Sequence, residues 1–212
     1  MPYDYGFWSA VIINVLFFGL FALGFLQPRK KREWRSMGVF TAFLVALFTE
    51  MYGFPLTIFI LTSVFGVRLP VLQPFSHING HLLGTLLGLS YAGKLLICQI
   101  GSLLMLLGIV VMGYGWWQIY RARGELVTWG LYRWVRHPQY TSLFLITIGM
   151  LIQWPTIITV LMWPLLMLSY YRLAMKEEQD MINKFGERYL HYKASTPAFF
   201  PRLGIRHKAY TG

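Results

Sequence analysis

Long apolar runs separated by short basic clusters constrain this chain more than any other feature of its sequence. Phe7 to Leu26 is a run of 20 residues without a charged side chain. About 20 apolar residues of helix cross a hydrocarbon layer of roughly 30 Å. Hydrophobic residues make up 56% of the 212 residues and charged residues 13%, whereas a soluble domain has about a quarter charged. An integral membrane protein with an all-α fold is therefore predicted.

The apolar runs predict five membrane spans, at residues 7–26, 37–65, 95–120, 140–154 and 156–172. The last two are expected to form a hairpin, because Pro155 breaks the helix between them. Residues 81–93 are apolar but too short to cross, so a re-entrant or interfacial helix is predicted there. The charged segment 176–193 is predicted to be a cytoplasmic amphipathic helix.

Basic residues beside the spans predict the orientation of the bundle. Positive charge next to a span favours the cytoplasmic side. The N-terminus is therefore expected outside, and the C-terminus and the working site on the cytoplasmic side. Topology also explains the net charge of +11, so no nucleic-acid partner is expected. The basic residues of the two predicted cytoplasmic stretches are Arg29, Lys30, Lys31, Arg32 and Arg35 in the first and Arg121, Arg123, Arg133 and Arg136 in the second.

Cysteine and histidine residues give no metal site. Cys98 is the single cysteine, so neither an intramolecular disulfide nor a multi-cysteine metal site can form. His77 and His81 have the i, i+4 spacing that places two ring nitrogens on one helix face. No third ligand is evident nearby, and the intervening Asn79-Gly80 indicates a turn. Metal binding is therefore not predicted.

Glu50 lies inside the predicted second span, about 14 residues from its start. A carboxylate near the middle of a membrane is costly and usually functional. Pairing with a buried hydroxyl or arginine would satisfy it, and so would a place along a substrate path. The sequence leaves both interpretations open.

The predicted hairpin brings ionisable residues to one end of the bundle. Pro138 and Glu177 are 39 residues apart, or roughly 58 Å of helix. Folding this length at Pro155 returns both ends to the same membrane face, so Arg136-His137-Pro138 is expected close to Glu177-Glu178. Considered separately, each residue has an explanation that involves no function. Arg136 would set the membrane orientation, Pro138 would start a helix, and the two glutamates would stabilise the first turn of a helix. Their joint placement predicts a functional site.

Gly113 and Gly115, near the cytoplasmic end of the third long span, have two interpretations. Glycines in membrane helices usually permit close packing of a neighbouring helix. They also leave space for a flat ligand ring against the backbone. No strand precedes them, so they do not form the glycine loop of a dinucleotide-binding fold.

Four motifs occur in an order that resembles a family of membrane enzymes. They are Gly113-Tyr114-Gly115, the run GLYRWVRHPQY ending at Tyr140, Glu177-Glu178, and FGERYLHY followed by Pro201. This pattern resembles the membrane methyltransferases grouped around isoprenylcysteine carboxyl methyltransferase and phosphatidylethanolamine N-methyltransferase. The resemblance covers about residues 95–203. It divides the chain into an expected methyltransferase core at 95–212 and N-terminal spans with an external loop at 1–94, a candidate substrate region.

The resemblance implies S-adenosylmethionine as cofactor in the cytoplasmic half of the bundle. A lipid or lipid-modified acceptor would enter from the bilayer. An amine acceptor has to lose a proton, which Glu177, Glu178 or His137 could take, and Arg172 is a further candidate for holding an anionic group. A carboxylate acceptor needs no base, and the sequence leaves both acceptors open. The cofactor-binding residues implied are Gly113, Gly115, Arg136, His137, Pro138, Gln139, Tyr140, Glu177 and Glu178.

Two other functions compete with methyl transfer at this stage. One is an NADPH-dependent membrane reductase related to the sterol reductases, which share this C-terminal architecture. The other is a non-enzymatic membrane transporter, which would have no cofactor site.

Overall fold

A computed structural model describes residues 5–26, 31–67 and 81–201, and over these ranges the chain is a bundle of helices without a β-strand. Among the described residues, four helices are long and apolar enough to cross a membrane, namely Trp8–Leu26, Glu33–Gly53, Tyr91–Arg121 and Ile157–Phe185. The prediction of a helical, multi-pass membrane protein is confirmed. The predicted count of five spans is not confirmed.

The N-terminal half is built from two packed helices and a short third one. Helix α1 (Trp8–Leu26) packs on α2 (Lys31–Phe48), which continues into the π-helical turn Thr49–Gly53. The predicted span 37–65 is interrupted there, because Phe54 is extended and Pro55 has no N–H to continue the helix. Helix α3 (Leu56–Ser63) has only eight residues.

The predicted re-entrant segment 81–93 divides between two helices. Helix α4 (Leu82–Leu86) has five residues, too few to cross the bilayer. Helix α5 (Tyr91–Arg121) starts at Ser90, whose hydroxyl accepts a hydrogen bond from the Gly93 N–H at 3.4 Å. Residues 91–93 therefore belong to the long helix.

Glycines let α5 pack closely against α6 (Pro138–Gln153), a helix of 16 residues. A Cβ atom on Gly101 would lie 2.5 Å from Cγ of Gln153, and one on Gly108 would lie 2.6 Å from Cγ1 of Ile146. Neither position has room for a side chain. At Gly115 the same atom would make an ordinary 3.5 Å contact with Pro138 Cγ. The two helices are thus tightest away from the predicted site.

The predicted hairpin around Pro155 is present, between α6 and α7 (Ile157–Phe185). Thr156 caps α7 by a capping box with Thr159. The helix accommodates Pro164 in its interior and runs without a break through residue 176. The predicted bounds of the C-terminal helix, 176–193, are therefore wrong. The break comes at Gly186, whose φ is +54°, and α8 (Glu187–Ser195) follows it.

Candidate functional site

The hairpin brings the two predicted groups of ionisable residues into contact. Arg136 Nε donates a hydrogen bond to Glu178 Oε1 at 2.8 Å, and Arg136 Nη2 lies 2.6 Å from the same oxygen. The Nε2–H group of His137 donates to that oxygen at 3.0 Å. Arg136 and His137 precede α6, whereas Glu178 lies on the C-terminal third of α7. The expected juxtaposition across the hairpin is found.

Glu178 is the centre of an ion cluster that joins α7 and α8 to the start of α6. Its side chain is 1% exposed, and Lys193 Nζ of α8 lies 2.8 Å from its second oxygen. Arg136 Nη1 donates to the carbonyl oxygen of Lys193 at 3.0 Å and to that of Thr196. A buried carboxylate needs such partners, because an unpaired buried charge costs several kcal/mol. Glu178 and Arg136 therefore satisfy each other.

The segment after α8 pairs with the start of α6. The backbone N–H groups of Arg136 and His137 donate to the carbonyl oxygens of Pro197 and Ala198 at 2.9 and 3.0 Å. Thr141 Oγ1 donates to the Phe199 carbonyl at 2.9 Å. The Phe199 ring stacks on the His137 imidazole, with ring centroids 5.5 Å apart. The imidazole is thus held by the Phe199 ring stacked on it and by the Glu178 carboxylate bonded to its Nε2.

Glu177 has different surroundings from its neighbour Glu178. Its side chain is 47% exposed. Oε1 accepts a hydrogen bond from the Tyr140 hydroxyl, and Oε2 lies 3.9 Å from His137 Nδ1. Tyr140 itself is buried in the core. Glu177 therefore has a fixed position and a face open to a ligand.

A cavity of about 340 Å³ opens beside this cluster. It lies between the C-terminal ends of α5 and α7, the loop before α6, and α8. Its volume falls in the range of about 300–1,000 Å³ that is usual for small-molecule sites. The groups of most chemical interest in its lining are His137, Glu177, Asp180, Lys184, Tyr132 and Tyr189.

Tyrosines form the aromatic side of the cavity. Burial raises the pKa of Tyr132, Tyr189 and Tyr192, so all three keep their hydroxyl protons at neutral pH. The Tyr192 hydroxyl donates to the Tyr132 carbonyl at 2.6 Å, and Gln139 Nε2 donates to the Tyr132 hydroxyl at 2.7 Å. These bonds hold the rings in place as neutral surfaces.

The loop that carries Tyr132 is fixed by Gln118, a fully buried residue of α5. Its Nε2 donates to the Trp129 carbonyl at 2.9 Å, and its Oε1 accepts from the Leu131 N–H at 3.1 Å. Gly130 lies between them with φ of +63°, and a Cβ atom there would be 1.7 Å from Gln118 Nε2. Only glycine fits this position.

Some of the predicted site residues lie away from the cavity. Gly113 and Gly115 do not line it, and Gly115 packs against Pro138 instead. Pro138 starts α6 as its first residue. Arg172 is exposed on α7 and does not line the cavity. The functional roles of all the predicted site residues, these four included, stay predictions.

Sequence reasoning missed several groups of this site. Lys193 completes the ion cluster, and it directly follows the FGERYLHY motif. Asp180 lies three residues after Glu177, a spacing that places both on one helix face. Tyr132 lies inside the GLYRWVRHPQY run. All three residues lie in or next to the motifs, but their place in the site becomes apparent only from the packing of α8 on α7.

Glu50 and His81 lie at the opposite end of the bundle. Glu50 Oε2 accepts a hydrogen bond from the Thr57 N–H at 2.8 Å, and Thr57 Oγ1 accepts one from the Ile157 N–H at 3.0 Å. Glu50 is thus level with the α6–α7 turn and not at mid-membrane. His81 Nδ1–H donates to the Gln153 carbonyl at 2.8 Å.

His77 falls outside the described residues. Within the described ranges no three His, Cys, Asp or Glu side chains are grouped closely enough to hold a metal ion.

Comparison with known proteins finds a family match over part of the chain that forms this site. Residues 94–183 match the family model described as the isoprenylcysteine carboxyl methyltransferase (ICMT) family. The chain is 36% identical over 77 residues to the protein-S-isoprenylcysteine O-methyltransferases of Mus musculus and Homo sapiens, covering 36% of this chain. The resemblance inferred from the motifs is confirmed for this segment.

The matched relatives extend well beyond the common segment. The alignment spans only 27% of the mouse and human proteins. A different relative, the nickel-cobalt-cadmium resistance protein NccN of Alcaligenes xylosoxydans xylosoxydans, is 30% identical over 105 residues, covering 47% of this chain and 49% of that protein. No solved structure matches the chain. Helices α1 to α4 and helix α8 lie outside the family match.

Proposed function

We propose that this membrane protein is an S-adenosylmethionine-dependent methyltransferase that acts on a lipid or lipid-modified acceptor, with a carboxyl group as the favoured methyl acceptor. The observation that carries the proposal is the 340 Å³ cavity beside His137 and Glu177, which lies mostly within the segment matched to the family. The same proposal assigns residues 95–212 to the catalytic core and residues 1–94 to substrate selection.

The lining of the cavity fits the charges of S-adenosylmethionine. That molecule carries a sulfonium, an ammonium and a carboxylate on an adenosine. Glu177 and Asp180 supply negative charge for the cationic groups. Tyr132 and Tyr189 offer neutral ring surfaces to the adenine or the sulfonium. Arg136 and Lys184 both line the cavity, and Lys184 is assigned to the carboxylate because Arg136 is engaged by Glu178.

Arg136 and Glu178 take a positioning role in this proposal. Each is engaged by the other and by groups of α8, so neither has to bind the cofactor directly. They hold His137 and the start of α6 against α7. Arg136 also lines the cavity, but its guanidinium is already bonded, so direct contact with the cofactor is assigned to His137 and Glu177 of the same lining.

When bound, the cofactor would supply an electrophilic methyl group on its sulfonium for the acceptor oxygen, and it would leave as the neutral thioether with the electron pair of the broken S–CH₃ bond. An ionised carboxyl acceptor has no proton to lose. The residues around the cavity therefore have to orient the two reactants in line and exclude water, which supplies much of the acceleration in such displacements. An amine acceptor would require a base, and His137 or Glu177 would serve.

The cofactor assignment is tested by thermal unfolding of detergent-purified protein. S-adenosylhomocysteine is expected to stabilise the protein, and NADPH is expected to have no effect. Glu177→Gln should weaken the stabilisation by S-adenosylhomocysteine about tenfold in apparent affinity, whereas Glu187→Gln, an exposed glutamate outside the cavity, should leave it unchanged. Stabilisation by NADPH alone would support the reductase, and stabilisation by neither would refute both enzymes.

The acceptor is tested separately, by incubation with methyl-labelled cofactor. A prenylated cysteine with a free carboxyl, its amide, and an amine-bearing phospholipid are the three acceptors compared. Label is expected in an ester of the first only. Label in the phospholipid amine would refute the carboxyl specificity while leaving the methyltransferase intact.

A further inference from the structure

A second cavity lies along α2, and apart from Ile158 of α7 its lining residues precede the segment matched to the family. It is a groove of about 740 Å³ that extends from Trp34 to Glu50 and Ile158. The 16 residues between Trp34 and Glu50 correspond to ~24 Å of helix, most of a hydrocarbon layer of about 30 Å. We propose that this α2 groove binds a bilayer lipid whose headgroup carries an ammonium, with the ammonium on Glu50.

The floor of the α2 groove suits a hydrocarbon chain. Gly38, Ala42 and Ala46 follow one another at intervals of four residues and all line it, so they share one face of α2. A Cβ atom on Gly38 would meet nothing within 4 Å. Small side chains along one helix face leave a shallow channel that a neighbouring chain can enter.

Glu50 indicates what the lipid carries at one end. Its side chain is 3% exposed, and it lies in the lining beside apolar residues such as Phe54 and Leu56. Oε2 accepts the Thr57 N–H, whereas Oε1 is buried without a hydrogen-bond partner among the described residues. A buried carboxylate oxygen left in this condition costs free energy until a donor or cation reaches it.

The position of Glu50 favours a headgroup over the end of an apolar tail. Glu50 is linked through Thr57 to the start of α7 at Ile157, which places it level with the α6–α7 turn. Lipid headgroups lie at such a boundary. A plain isoprenoid or acyl end would leave the carboxylate unpaired, and a carboxylate or phosphate would repel it. An ammonium supplies both the charge and the donors.

Three single-chain probes of equal length test the proposal: octadecylamine, octadecanol and octadecanoic acid. Their affinities for the full chain in detergent are measured by native mass spectrometry. The amine is expected to bind at least tenfold more tightly than the alcohol, and the acid most weakly. Glu50→Gln should abolish the preference for the amine, because glutamine retains an acceptor for Thr57 but loses the charge.

Two glycine variants separate the groove from the rest of the lipid-facing surface. Gly38→Leu fills the groove and should weaken binding of all three probes about tenfold. Gly19→Leu on α1 is the matched control, because its Cβ also meets nothing within 4 Å, and it should change nothing. A photoreactive octadecylamine should label peptides of α2.

Equal binding of the three probes by the wild-type protein would overturn the proposal, and so would an unchanged preference in Glu50→Gln. If Gly38→Leu alters the oligomeric state and leaves probe binding intact, the groove is a contact between two copies of the chain and the proposal is wrong. Stabilisation by S-adenosylhomocysteine should persist in every variant. Failure of the lipid proposal would therefore leave the methyltransferase proposal intact, and the reverse also holds.

Discussion

Glu177 and Glu178 are adjacent in the sequence but differ in what they can do. Glu178 is 1% exposed and contacts Arg136, His137 and Lys193, whereas Glu177 is 47% exposed at the edge of the cavity. Successive residues of a helix point about 100° apart, so one side chain enters the α7–α8 interface and the other leaves it. The sequence predicts the pair as one unit and cannot divide its roles, because the division depends on where α8 packs.

Glu178→Gln is expected to lower the free energy of unfolding by about 3 kcal/mol, because Arg136 and Lys193 would then be left without a carboxylate. Glu177→Gln should cost less than about 1 kcal/mol, as is usual for a partly exposed charge. Thermal or chemical unfolding of the detergent-purified variants measures both effects. Equal destabilisation by the two substitutions would contradict the division of roles.

Gly130→Ala is expected to destabilise the loop that carries Tyr132 by about 2 kcal/mol or more. The added methyl group meets the Gln118 amide, and an alanine with positive φ is itself strained by about 1–2 kcal/mol. Gly124→Ala is the control, because Gly124 also has positive φ but its nearest neighbour would be 3.9 Å away. If the two variants unfold at the same temperature, the close contact between residue 130 and Gln118 does not affect stability.

At the scale of elements, the α5–α6 pair shows which glycines serve packing. A Cβ on Gly108 would lie 2.8 Å from the Ser142 carbonyl oxygen, whereas one on Gly113 would meet nothing within 4 Å. The sequence offers two interpretations for membrane glycines. Close helix packing is the correct interpretation for Gly101, Gly108 and Gly149, whereas a Cβ atom on Gly113 would make no such contact.

Gly108→Ala is therefore expected to separate α5 from α6 and lower the unfolding temperature by several degrees. Gly113→Ala, five residues further along the same helix, should leave it unchanged or slightly raise it through helix propensity. The pair is compared by thermal unfolding in one detergent. A larger effect at Gly113 would show that the tight contact lies elsewhere.

The helix boundaries predicted from the sequence differ from those in the structure. Apolar composition predicts the presence of the spans, because the bilayer demands it. Boundaries depend on single residues: Pro55 ends a run that composition alone carries to 65, whereas Pro164 is accommodated inside α7. The hairpin and its ion cluster followed from the length between Pro138 and Glu177. The cavity did not follow, because its walls include α8, whose docking has no signature in periodicity.

At the scale of the whole molecule, the two ends of the bundle have different proposed binding sites. The end with Arg136 and Glu178 carries the proposed cofactor cavity, and the end with Glu50 and the α6–α7 turn carries the proposed headgroup site. The basic residues flanking α2 and following α5 favour a cytoplasmic location for the first end.

This orientation is tested by labelling single cysteines from outside the cell, after Cys98→Ser removes the only native one. Leu87→Cys, in the exposed turn after α4, should react with a membrane-impermeant maleimide on intact cells. Arg123→Cys and Lys31→Cys should react only after permeabilisation. The reverse pattern would invert the bundle and place the cavity on the outer face.

The ion cluster also orders events during biosynthesis. Two of the acceptors of Arg136 lie 57 and 60 residues downstream, at Lys193 and Thr196. Both lie in or directly after α8, so Arg136 obtains its full set of partners only once the last of the described helices has been synthesised. We therefore expect the start of α6 to be fixed late in folding, by a segment that follows every described membrane helix in the chain.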